Sequence, residues 1–204
     1  MTPSAIKENE AGWIYVHGHS PSIGDESGPS LIFLRPGLHG MQNEEGYLRA
    51  LMNVLDFAVA DSLKRSDNKY GKYNVVLDST DFKIANIGGL RQVKRAFRML
   101  KDHCPDRLGH MFFTNLGGPA QFFLKMVSPF IEESVKQKLH VIPNDPEKRI
   151  EALRPWIGDE FIPTWLGGED TFEFDAKQYY HRSKSLLATE EEGLSYLQTM
   201  PYHA

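Results

Sequence analysis

Three groups of residues carry side chains able to do chemistry. His17-Gly18-His19-Ser20 places two imidazoles two residues apart, on one face if the segment is a strand, an arrangement that could begin a metal or hydrolase site. A third ligand cannot be assigned among the other six histidines, and neither an H-x-x-x-H helix pair nor a G-x-S-x-G elbow is present. Cys104 follows His103 directly, and helical neighbours point apart, so the pair is no dyad; the thiol closes an apolar stripe instead. The third group, Arg91, Lys94, Arg95, Arg98 and Lys101, lines one side of a single helix, with Leu90, Val93, Phe97 and Leu100 on the other. Those cations either stand on an anionic membrane, at up to about 1 kcal/mol each, or are the solvated back of a core-packed helix. No catalytic residue, metal ligand or cofactor is assigned, and an enzyme is not expected.

The bulk numbers suit a folded domain. The chain has 204 residues, 41% apolar and 25% charged, enough to build a core. A net charge of −4 argues against nucleic acid as the main partner. Cys104 is the single cysteine, so no internal disulfide can form and a reducing, cytoplasmic setting is expected. No apolar run approaches the roughly eighteen residues of a membrane span, and residues 1–10 are polar and read as disordered.

The elements that must position these groups alternate. Trp13 to His17, Leu31 to Leu34, Tyr73 to Leu77, Leu108 to Thr114 and His140 to Ile142 read as strands. Leu48, Leu51, Met52, Leu55, Val59 and Leu63 fall at helical spacing, and a second helix runs from about Gly89 to His103, stopped by Pro105. Strands alternating with helices predict an α/β fold with a mixed, largely parallel sheet covered by helices. Residues 176–204 read as a helical appendix: one helix near Ala176 to Leu187, then a shorter one opened by Thr189-x-x-Glu192.

The stretch after the Leu108 to Thr114 strand is the most unusual. Asn115 and a Gly-Gly-Pro turn lead into Phe122, Phe123, Met126, Val127, Phe130, Ile131, Val135 and Leu139, a double-width apolar band on a helix. Pro129 should break it into two helices meeting at a bend. Such a band either sinks into a core or covers something apolar.

These segments resemble the CRAL-TRIO (Sec14-like) lipid-binding domain family. Tyr73 to Asp78 is similar to its apolar strand ending in Asp, Cys104 to Gly109 to its "YPERLG" turn, and Asn115-Leu116-Gly117 to its "N-x-P". Phe122 to Ile131 resembles its gate helix, and Ile162 to Gly168 its closing "LP-x-x-h-GG". The resemblance implies a domain over residues 11–175, a sheet flooring a hydrophobic cavity, and a gate of Phe122, Phe123, Met126, Val127, Phe130 and Ile131. It also implies a small helical lobe ahead of the first strand, where about a dozen residues stand here, so the lobe is either missing or lies outside these 204 residues; the surface it would cover is then exposed or taken up by the C-terminal helices or by a second chain in a homodimer. Of the family's phosphatidylinositol contacts, Asp106 and Lys138 are present while Val135 replaces a threonine. The choline-lipid positions are Tyr73 and Val75, and Phe113 lies on the next strand of the floor. The resemblance thus implies a carrier of one lipid, phosphatidylinositol first, working in transient contact with membranes; the charged face of Arg91, Lys94, Arg95 and Arg98 is the membrane footing that the residue pattern itself offers. Two alternatives stay open: an interaction or dimerisation module with a regulatory pocket, or a carrier of a sterol, tocopherol-like molecule or haem touching Tyr73, His110 or His140.

Overall fold

A computed structural model describes residues 3–21 and 28–189. Five strands form one sheet in the order β1-β2-β3-β4-β5: Ile14–His19, Ser30–Leu34, Tyr73–Asp78, Leu108–Thr114 and Leu139–Val141. β1 pairs antiparallel with β2, and all later neighbours are parallel. Three crossovers each advance one strand in the same direction, so crossovers of one hand put their helices on one face of the sheet.

Those helices are α2 (Glu44–Arg65) between β2 and β3, α3 (Leu90–His103) between β3 and β4, and the pair α4 (Gly118–Val127) and α5 (Glu133–Lys136) between β4 and β5. Asn43 caps α2 by accepting the Gly46 N–H, Glu44 and Glu45 fill its first turn and Lys64 and Arg65 its last, each charge matched to the helix dipole. The register assigns the faces. Val16, Ile32, Val75, Met111 and Leu139 stand in one row across the sheet, on the helix side. Tyr15, Phe33, Val76, Phe112 and His140 stand in the row behind.

No crossover helix covers that rear face. The chain after α6 (Pro146–Leu153) does so with aromatic side chains: Trp156 against Phe112, Trp165 edge-on to Phe33, and Phe172 against Tyr15. Gly18 lets this cover approach, since a Cβ there would lie 2.4 Å from the Phe161 ring, and its φ of +75° is one that other residues rarely adopt. α7 (Ala176–Thr189) closes the β1 side, where the Tyr179 hydroxyl accepts the Val16 N–H at 3.1 Å.

One expectation is overturned. Residues 1–10 are not disordered throughout: Pro3–Glu8 is a helix, α1, packed on α2 with Ala5 fully buried. It is held by polar contacts that periodicity does not reveal. The Glu8 carboxylate accepts backbone N–H groups of Gln42 and Asn43, and the Trp13 indole donates to the Glu8 carbonyl. Of the helical appendix, α7 is described; the capping box at Thr189 runs into residues outside the described ones.

Candidate functional site

Burial on the helix side of the sheet fades from β1 to β5. In one row Val16, Ile32 and Val75 are buried while Met111 and Leu139 are half-exposed. The next row does not fade evenly: Ile14 and Phe113 are buried, Leu34 and Leu77 are half-buried, and Val141 at the far end is 69% exposed. α2 covers the first three strands, and its Asp61 carboxylate accepts the Ser30 hydroxyl at 2.8 Å. Over β4 and β5 the cover is α3 and α4, whose half-buried Met99 and Leu100 (α3) and Leu124 (α4) pack against the core clusters, while Phe123 and Met126 of α4 are half-buried beside them. Two hydrophobic clusters result, one large under α2 and one small around Phe113, Leu116 and Ala120, with Met111 packed against both. The seam between them is lined by apolar side chains that the described residues bury only in part. Two shallow depressions lie elsewhere: one around Lys7, Glu10 and Gln42, the other around Glu44 and the arginines of α3.

The segment expected to form a gate lies beside these clusters. Its apolar band divides, with Ala120 and Val127 buried, Phe123 packed on Phe82, and Phe122 and Phe130 facing out at 64% and 49% exposure. Met126 and Ile131 lie between, half-buried. Pro129 does more than bend the helix. α4 ends at Val127, a 3-10 turn spans Ser128–Phe130, Ile131 is extended, and only then does the four-residue α5 begin. Two contacts tie this weak stretch to α3: the Lys94 ammonium lies 4.2 Å from the Phe130 ring centroid, and the Lys101 ammonium lies 2.7 Å from a Glu132 carboxylate oxygen.

The polar residues proposed for a headgroup divide by place. Tyr73, Val75 and Phe113 are on the gate side of the sheet, and all three are buried, the first two in the large cluster and Phe113 in the small one. Lys138 is half-buried at the rim of β4, where its ammonium donates to the Leu108 carbonyl at 2.9 Å, and the backbone N–H of Lys138 donates to the Val135 carbonyl. Asp106 lies on the exposed turn into the same strand, with a φ of +55°. Lys138 and Asp106 therefore share one corner, away from the Phe113 cluster. On α3, Arg91 and Arg95 pair with Glu44, whose carboxyl they and Gln92 hold below its ordinary range, and Arg98 is exposed.

One residue of the helix side escaped notice. Asp56 is half-buried on α2, and burial pushes its carboxyl up to about 6. Its charge is felt by the Tyr73 hydroxyl and the Cys104 thiol, the latter pushed up to about 12 by burial and then by Asp56. A thiol so weakly acidic is packing, not a nucleophile. The signal was in the sequence: Met52, Asp56, Val59 and Leu63 fall at helical spacing, so an acid interrupts an apolar stripe.

The histidines find other work. His17 bonds Asp170 at 2.8 Å and stacks on Phe172, fastening the rear cover to β1. His110 and His140 bond each other at 2.9 Å beside Trp156, on the face opposite the gate. Burial, then His140 and Lys138, lower the His110 pKa. Neither can touch a ligand lying against Met111. Among the described residues no three His, Cys, Asp or Glu side chains converge as a metal site, and no helix is long and apolar enough to cross a membrane.

The sheet thus carries every crossover helix on one face, with half-buried apolar side chains between two hydrophobic clusters and a broken amphipathic segment beside them. The chain belongs to the CRAL/TRIO domain family, which it matches over residues 11–168. It is 23% identical over 195 residues to a CRAL-TRIO domain-containing protein of Schizosaccharomyces pombe, covering 95% of this chain and 18% of that one. It is 24% identical over 131 residues to Patellin-5 of Arabidopsis thaliana, covering 62% of this chain and 19% of Patellin-5. The chain thus spans about a fifth of the length of these relatives. The crystal structure of Sfh5 superposes with a TM-score of 0.60 at 15% identity, over 88% of this chain and 66% of that one, a likeness of fold.

Proposed function

We propose that this domain binds a single lipid between the sheet and the gate segment and carries or presents it between membranes, without covalent chemistry. The observation that supports it best is the incomplete burial around Phe113: Met111, Leu139, Leu124 and Phe82 pack against one small cluster, and the described chain leaves them partly uncovered. Acyl chains would cover them. Leaving those chains in water would cost roughly 0.8 kcal/mol per methylene, so loading requires the gate to open at a bilayer and close before departure. Phe122 and Phe130 face outward, Phe130 beside Lys94 of α3, and suit that contact.

Phosphatidylinositol is the ligand we propose. At the rim of β4 its phosphate would take the Lys138 ammonium from the Leu108 carbonyl, and Asp106 would accept hydrogen bonds from ring hydroxyls. The sterol, tocopherol or haem reading loses two of its three polar contacts, since His110 and His140 face away from the gate. Native mass spectrometry of the purified protein, with extraction and identification of bound lipid, tests the proposal. One phosphatidylinositol per chain is expected; an empty protein that takes up no lipid from vesicles would refute it.

A further inference from the structure

We propose that the cations of α3 latch the gate shut and that an anionic lipid surface opens it by drawing those cations away. This deepens the lipid-carrier reading and rests on it for its purpose, though not for its test. Both contacts that fasten the gate to α3 use a lysine of α3: Lys94 over the Phe130 ring and Lys101 on Glu132. Both grip the gate where it is weakest, next to Pro129 and the extended Ile131, where no continuous helix transmits stiffness. Both are open to solvent, with Lys101 71% and Glu132 56% exposed, so a competing anion can reach them.

The same face of α3 carries Arg91, Arg95 and Arg98, which supplies the charge complementarity with a negatively charged bilayer. At such a surface the local density of phosphate and carboxylate groups far exceeds one glutamate, and lysines exchange partners. Two consequences follow together. Glu132 loses its tether, and the Phe130 ring, no longer beneath an ammonium, is free to enter the interface. A neutral surface offers no such exchange. The gate would then open only where a bilayer is at hand to accept or supply acyl chains.

The test compares the natural chain with Glu132→Gln and with the exchange Lys101→Glu/Glu132→Lys. Each is mixed with vesicles of phosphatidylcholine alone and of equimolar phosphatidylcholine and phosphatidylserine. Backbone hydrogen exchange of residues 118–136 reports gate opening, and transfer of fluorescent phosphatidylinositol reports carriage. Gate exchange in the natural chain should rise on the anionic vesicles. Glu132→Gln should already be open on neutral ones, lowering the anionic-to-neutral ratio by roughly two- to fivefold, the range for one exposed ion pair. The exchanged pair should restore the ratio. An unchanged ratio in Glu132→Gln, or equal gate opening of the natural chain on both vesicles, overturns the latch. Gate opening as expected without transfer from either vesicle supports the latch and refutes the lipid carrier.

Discussion

Replacing Asp56 by Asn should stabilise the protein at neutral pH and do nothing at acid pH. The carboxyl titrates near 3.8 in an unfolded chain and near 6 in the folded one, because burial on α2 disfavours the charge. Below the lower value it is neutral in both states and contributes no pH dependence. Between the two, the folded protein holds a proton that the unfolded chain releases, so stability falls as pH rises. Above the higher value the group is ionised in both states and the whole penalty is present. At about 1.4 kcal/mol per pKa unit the gap is worth roughly 3 kcal/mol, and half-burial reduces the expected gain to about 2 kcal/mol. Asn keeps the shape without the charge. Urea unfolding of both proteins from pH 4 to pH 8 measures this directly, because titrations elsewhere cancel in the difference. A difference independent of pH, or a natural protein more stable than Asp56→Asn at neutral pH, would mean that Asp56 has a stabilising partner and that the burial argument is wrong.

Phe130→Asp should leave the fold intact, since the ring is half-exposed and the new carboxylate keeps Lys94 as a partner, yet it should oppose insertion at a bilayer by roughly 2–4 kcal/mol; undiminished lipid transfer by the folded variant would remove the gate from the account. Lys138→Ala should cost about 1 kcal/mol in stability for the lost bond to the Leu108 carbonyl. It should weaken phosphatidylinositol binding more than tenfold while sparing a sterol, and equal effects on both ligands would refute the headgroup assignment. Gly18→Ala should destabilise by about 1–3 kcal/mol, through an unfavourable φ and a collision with Phe161, read as a lower urea midpoint; an unchanged midpoint would show that the rear cover yields freely.

The central strands were legible because their signal is local. Leu108–Thr114 is bounded by Pro105 and by Asn115, and it forms over the residues that the apolar run marks. Tyr73 to Leu77 is equally plain, and α2 extends the stripe of Leu48 to Leu63 by a turn at its start. α1 was not legible, because six residues are too few to show a period and their order comes from Glu8 accepting N–H groups of Gln42 and Asn43 and from Trp13 donating to the Glu8 carbonyl. α6 was missed despite its signal: Asp145 caps it by accepting the Lys148 N–H, and Pro146 sits at its first position. The apolar band after Gly118 was recognisable, but which of its phenylalanines face outward depends on where α3 lies. Lys94 and Phe130 are far apart in sequence and no spacing rule connects them.

The rear face of the sheet has a consequence for how the chain acquires its structure. Every parallel strand and its crossover helix precede residue 142, while the aromatic cover of Tyr15, Phe33 and Phe112 comes from residues 156–174. During synthesis the strands can pair and gather their helices on one side while the other side stays wet and apolar. A half-finished sheet of that kind invites association with other nascent chains. Docking of Trp156 and Trp165 is therefore the step that converts a sticky intermediate into a finished domain. Since Trp13 is buried against α2, stacked on Tyr47, indole fluorescence should report two events in time: early collapse around α2, then late closure of the back.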